Sequence, residues 1–293
     1  MSLLSPKAGP PLTLPPQKNS SPAMDPILLW PNDPSRTSAA LGRPQLLPFL
    51  HEGNTPRPAI LVIPGGGYAN VCHGYEGSDV AQKFVSLGYH AFVLEYRCGE
   101  HGGWPAPQQD AARAVKLLRA RAGELRLDPR HVASLGFSAG GHLAGCLGTS
   151  IIQRVDASAG DDADALSPRV DAMILCYAVI RFEDASGHSA SGKTLLGPGN
   201  AHLYPEYDLS LHLDEETPPT FLFHTAADQI VPCLGSLDMA AKLKQRQIPV
   251  GLHLLPFGVH GAGLATDTID TVQWPDMAHR FLQRVWAAPE EKA

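Results

Sequence analysis

The sequence predicts an α/β fold: a mostly parallel central sheet with helices on both faces and a short lid-like insertion. Three observations predict it. From Pro58 onward, short β-branched runs alternate with longer stretches of helical period, the spacing of parallel strands joined by crossover helices. The best strand run, AILVI at 59–63, is apolar throughout, which marks a strand covered on both sides. The chain is 293 residues long, with 44% hydrophobic and 18% charged residues, enough for a large core without staples.

Taken in order, the run at 59–63 ends in PGGG, a turn directly after a strand. DVAQKFVSL at 79–87 reads as a helix that stops at Gly88, a C-terminal helix signal. YHAFVLEY at 89–96 is a second strand. Residues 108–122 place apolar side chains at helical spacing, giving one buried face. HVASLG at 131–136 is a strand that leads into a helix of small residues at 140–149. Further strands are expected at 170–177, 220–224 and 250–257, and further helices at 235–246 and 271–286. Between 181 and 219 the rhythm breaks into a Gly-, Ser- and Pro-rich stretch too long for a simple connection, which reads as a lid. Residues 1–25, rich in proline and serine, are expected to form an arm without regular structure, and 26–293 a single domain.

Charge and composition exclude several function classes. A net charge of −6 with no dense Lys/Arg run argues against a nucleic-acid partner and against binding to an anionic membrane. No apolar stretch approaches the length of a membrane span. The five cysteines, Cys72, Cys98, Cys146, Cys176 and Cys233, fit neither a zinc spacing nor a disulfide framework and read as reduced core residues. The N-terminus lacks the charged start and apolar block of a secretory signal, so a cytoplasmic location is expected, with export left open.

The chemistry starts at LGFSAGGHLAG, residues 135–145. Ser138 sits in G-x-S-x-G between a strand and a helix, where the turn is sharp and the hydroxyl stands out above the sheet. Side chains in place of Gly136 and Gly140 would collide with the strand and the helix. The free N–H groups of the helix N-terminus face whatever the serine attacks. A neutral serine needs a base. Of 13 histidines, His260 in FGVHGAG stands just past the last strand, with glycines on both sides; His224 is the next candidate. The base needs an orienting carboxylate. Asp228 follows the strand TFLFH, whereas Asp171 begins a strand and faces the wrong end of the sheet, and Asp238 lies on a helix. The order Ser138, Asp228, His260 is that of α/β-hydrolases. VIPGGGY at 62–68 supplies Gly65, Gly66 and Gly67, whose amides can face the site; Gly66, Gly67 and Ala139 are the expected oxyanion-hole donors. Tyr68, Trp104, Tyr204 and Tyr207 either line an entrance and stack on a sugar ring or pack inside.

With these residues in place, the chain resembles the α/β-hydrolase superfamily, and within it the acetyl-xylan and feruloyl esterase-like group of carbohydrate esterases. The matching pieces are PGGGY (64–68), LEYR (94–97), WPAPQQDAARAV (104–115), LDPRHVASLGFSAGGHLA (127–144), PPTFLFHTAADQIVP (218–232) and HGAG (260–263), from about residue 58 to the end. The resemblance implies a serine esterase acting on acetyl or other short acyl esters, often of sugars, without metal or cofactor. Its partner would be a small ester, an acetylated carbohydrate among them. Where related enzymes read HGGG, this chain has Pro64, as the carbohydrate-esterase branch does; where the family often has an acidic residue before the catalytic aspartate, it has Ala227. Amidase or lactonase chemistry on the same residues stays open. A non-catalytic receptor on this fold commonly loses the serine or the histidine, and both are present. A dehalogenase would need an aspartate at 138. The polar, glycine-rich stretch at 181–219 disfavours a lipase with a broad apolar cap.

Overall fold

The computed structural model describes residues 24–37, 42–183, 186–265 and 271–287; the arm expected at 1–25 lies outside these except for Met24 and Asp25. The described elements run β1 (Ile27–Leu28), β2 (Gln45–Phe49), β3 (Arg57–Ile63), α1 (Asp79–Ser86), β4 (His90–Glu95), α2 (Ala106–Ala120), α3 (Ala122–Leu125), β5 (Leu127–Phe137), α4 (Ser138–Cys146), β6 (Ala172–Cys176), α5 (Ser189–Leu196), β7 (Thr220–Thr225), α6 (Leu234–Gln245), β8 (Val250–Leu255) and α7 (Trp274–Ala287). All six strands and all five helices read from the sequence are present, with ends shifted by a few residues.

The strands form one sheet in the order β1-β2-β4-β3-β5-β6-β7-β8. β3 to β8 are mutually parallel, and β2 pairs antiparallel with both β1 and β4. Because successive side chains leave a strand on opposite faces, AILVI feeds two cores. Ala59, Leu61 and Ile63 join Ala111, Val115 and Leu118 of α2, Leu143 of α4, and Met239 and Leu243 of α6 on one side. Ile60 and Val62 join Val80 and Phe84 of α1 and Trp274, Ala278 and Leu282 of α7 on the other. All five strand residues are fully buried, so a polar substitution in this run strands a polar group in one core or the other.

The chain leaves β3 toward β4 and later returns to β3's other side as β5, so the strand order reverses there. In an open parallel sheet, the crevice beyond the carboxyl ends at such a reversal is where ligands bind. Two of the segments that carry the family resemblance meet just after β4: Arg97 forms an ion pair at 2.8 Å with the fully buried carboxylate of Asp110, which also accepts the Trp30 indole N–H at 2.7 Å. The segment 181–219 contains α5 and short 3-10 turns. Its α5 lies against the turn after β3: a side chain built on Gly67 would come 3.9 Å from Ser191 Oγ. Cys98, Cys146 and Cys176 are buried and Cys72 and Cys233 half-buried, all as free thiols. No helix among the described residues is long and apolar enough to cross a membrane.

Candidate active site

Ser138 is the first residue of α4, immediately after β5 ends at Phe137. Phe137 is extended, but Ser138 has φ 52°, a left-handed conformation that a residue with a side chain adopts at a cost. The flanking glycines make that turn possible. A Cβ at Gly136 would lie 2.3 Å from the Gly140 carbonyl oxygen, and one at Gly140 would lie 2.2 Å from that of Pro64. Strand, Ser138 turn and helix thus approach each other more closely than side chains allow.

His260 lies in the loop after β8 and Asp228 in the loop after β7, so both arrive from strand C-terminal ends on the same rim as Ser138. His260 Nε2 is 2.9 Å from Ser138 Oγ, and His260 Nδ1 is 2.7 Å from Asp228 Oδ2. A carboxylate accepts only, so Nδ1 carries the proton and Nε2 is free to take one from the serine. The other carboxylate oxygen accepts the Ile230 and Val231 amides, both at 2.9 Å. Burial pushes the Asp228 carboxyl up, but hydrogen bonds from His224, His260 and the Val231 amide outweigh it and hold the group well below the usual carboxylate range. Asp228 is therefore charged at neutral pH.

His224, the second candidate base, stands behind Asp228 rather than beside Ser138. It is fully buried; its Nε2 donates to the Val231 carbonyl at 3.0 Å and reaches Asp228 Oδ2 at 3.4 Å, while Ser236 Oγ donates to its Nδ1 at 2.8 Å. Asp171 is bound to Arg119 and Asp238 to Arg181, away from this cluster.

Of the three glycines after β3, one departs from the expectation. The Gly65 amide does not face the site, because it donates to Glu76 Oε2 at 2.8 Å. The Gly66 and Gly67 amides donate to no protein acceptor among the described residues, and Ala139 N–H belongs to the unpaired first turn of α4. The aromatic candidates mostly pack inside. Tyr68 is fully buried, and its hydroxyl donates to His142 Nδ1 at 2.7 Å, since His142 Nε2 donates to the Tyr207 carbonyl. Tyr204 is buried and donates to the Ser189 carbonyl at 3.3 Å. Trp104 is half-buried with its ring edge-on to Tyr207 at 4.7 Å.

Three side chains at the site had no signature in the sequence. Glu76 is 2% exposed and binds Gly65; Tyr177 packs its ring edge-on to His260 at 5.1 Å. His188, just before α5, holds Ser191 Oγ at 2.8 Å. Burial pushes its imidazole toward the neutral form, His260 adds to this, and Asp228 opposes it, which places His188 within electrostatic reach of the cluster.

The BD-FAE family model matches residues 48–243. The chain is 34% identical over 82% of its length to endo-1,4-beta-xylanase B of Butyrivibrio fibrisolvens, covering 38% of that protein. It is 28% identical over 77% of its length to the acetylxylan esterase of Xylanibacter ruminicola, covering 45% of it. The chain thus spans less than half the length of these two curated relatives. The crystal structure of an acetyl ester-xyloside bifunctional hydrolase from Caldicellulosiruptor lactoaceticus superposes with a TM-score of 0.82 at 35% identity, covering 93% of this chain and 100% of that one.

Proposed function

The chain belongs to the BD-FAE family and has the α/β-hydrolase fold, and on that premise we propose that it is a serine esterase hydrolysing acetyl and other short acyl esters, with acetylated xylose sugars as its natural class of substrate. The observation that carries this reading is the unbroken hydrogen-bonded series from Asp228 through His260 to the Ser138 hydroxyl. Relatives named as an acetylxylan esterase and an acetyl ester-xyloside hydrolase support the substrate class.

In this reading Ser138 Oγ attacks the ester carbonyl while His260 Nε2 takes its proton. The oxygen that gains charge accepts hydrogen bonds from the Gly66, Gly67 and Ala139 amides, each donor contributing roughly 3 kcal/mol. The C–O bond to the alcohol breaks, and His260 returns the proton to the departing oxygen. Water then repeats the sequence on the acyl-serine: His260 takes its proton, the acid leaves, and the Ser138 hydroxyl is restored. Asp228 holds the imidazole in the tautomer this requires and stabilises the imidazolium that forms.

The test is a substrate series. Against p-nitrophenyl acetate, butyrate and octanoate, kcat/KM falls by about tenfold or more from acetate to octanoate, on the order of what mismatch in a small pocket costs. Acetylated xylose releases acetate at a rate proportional to enzyme. Preference for octanoate, or no acetate from the sugar, contradicts the substrate assignment.

A further inference from the structure

Glu76 is a buried carboxylate, and among the described residues no lysine or arginine pairs with it. Burial pushes its carboxyl up, an effect countered where donors are aimed at it. Two are. Oε2 accepts the Gly65 amide at 2.8 Å, and Oε1 accepts the Tyr177 hydroxyl at 2.9 Å. Each contact leads into the site. Gly65 precedes Gly66 and Gly67, the oxyanion donors of the proposed mechanism, and a Cβ added to it would lie 2.9 Å from Glu76 Oε2 and 3.0 Å from Ser138 Cβ, so it is wedged between the carboxylate and the serine. The Tyr177 oxygen accepts the Gly263 amide at 2.8 Å, and Gly263 is in the loop that carries His260; the Gly263 carbonyl in turn accepts the Trp274 indole N–H at 3.0 Å. The Tyr177 ring rests edge-on against the His260 imidazole.

One carboxylate therefore joins the turn after β3 to the loop after β8, which approach Ser138 from opposite sides of β5. We infer that Glu76 is a positioning residue, acting through Gly65 and Tyr177 to hold the oxyanion turn and the base loop in register with Ser138. The inference rests on the reading of Ser138, His260 and the glycine amides given above. Glu76 itself touches neither the serine hydroxyl nor the imidazole; it sets where the groups that do so stand.

The donor pattern selects the variants. In Glu76→Gln an amide NH2 replaces one acceptor, so either Gly65 N–H or the Tyr177 hydroxyl loses its partner. Tyr177→Phe keeps the aromatic ring and the carboxylate and removes the link to Gly263, so the test survives should Glu76→Gln fold poorly. Reactive sites are titrated with a fluorophosphonate, and p-nitrophenyl acetate turnover is expressed per titrated site. Both variants still label at Ser138, kcat per titrated site falls on the order of 10²-fold, as small misplacements of catalytic groups do, and KM stays within about threefold. Wild-type kcat per titrated site in both variants, with only a lowered melting temperature, would make the cluster merely structural and overturn the inference. A wild-type protein that does not label at Ser138 defeats the esterase reading itself and takes this inference with it, an outcome separable from the first because it appears before any variant is made.

Discussion

His260 Nε2 lies 2.9 Å from Ser138 Oγ across 122 residues of chain. Two strand ends on one rim of a parallel sheet bring them together, and the Asp228 carboxylate fixes which nitrogen faces the serine.

Replacing Asp228 by Asn tests that tautomer. The Asn carbonyl can keep the Ile230 and Val231 amides, but its NH2 then faces His260 Nδ1 and favours the proton on Nε2. Ester turnover falls about 10⁴-fold while the fold is retained, as in a serine protease with the same change. Less than a tenfold loss in kcat, by initial rates on p-nitrophenyl acetate, would contradict the assigned role.

Gly140→Ala tests the close approach beneath Ser138. The added Cβ meets backbone carbonyls at 2.2 and 2.3 Å, and backbone cannot move aside as a flexible side chain can. Urea denaturation shows a loss of about 3 kcal/mol or more, or the variant does not fold. Gly123→Ala, with nothing within 4 Å of the added carbon, is the control and changes stability by under about 1 kcal/mol. Equal midpoints for the two would refute the packing account.

The acid limb of stability follows from His142. Burial pushes its imidazole down to about 4, so the native protein stays unprotonated there while the unfolded chain takes up a proton from about pH 6.5 downward. The unfolded state binds more protons in that window, so stability rises with pH across it and falls on acidification, by up to about 3 kcal/mol from this group. Unfolding free energies at pH 7, 5.5 and 4.5 show a shallower pH slope in His142→Gln than in the wild type. Equal slopes would remove His142 from the account.

What was legible in the sequence has a physical pattern. Ser138, Asp228 and His260 each stand where the chain leaves a strand of a parallel sheet, and short apolar runs reveal such exits. Glu76 and Tyr177 were not legible as site residues, because what makes them part of the site is contact across distance: Glu76 meets Tyr177 over 101 residues, and the strand run that ends at Tyr177 does not tell which residue its hydroxyl meets. The same holds for Gly65, whose amide is turned from the site by that carboxylate. For Tyr68 the sequence leaves an entrance role and a packing role open, and with φ 62° its ring is buried against His142. The strands β1 and β2 gave little signal: β1 has two residues, and β2 carries Pro48, which ordinarily argues against a strand inside a sheet.

The most direct measurement of the central claim is covalent labelling. Wild-type protein treated with a fluorophosphonate gains the mass of a single adduct, peptide mapping locates it on Ser138, and esterase activity disappears in step with labelling. Ser138→Ala takes no adduct and loses turnover on the order of a million-fold. An adduct on another residue, or a Ser138→Ala variant that keeps about a tenth of the wild-type rate, would contradict the account.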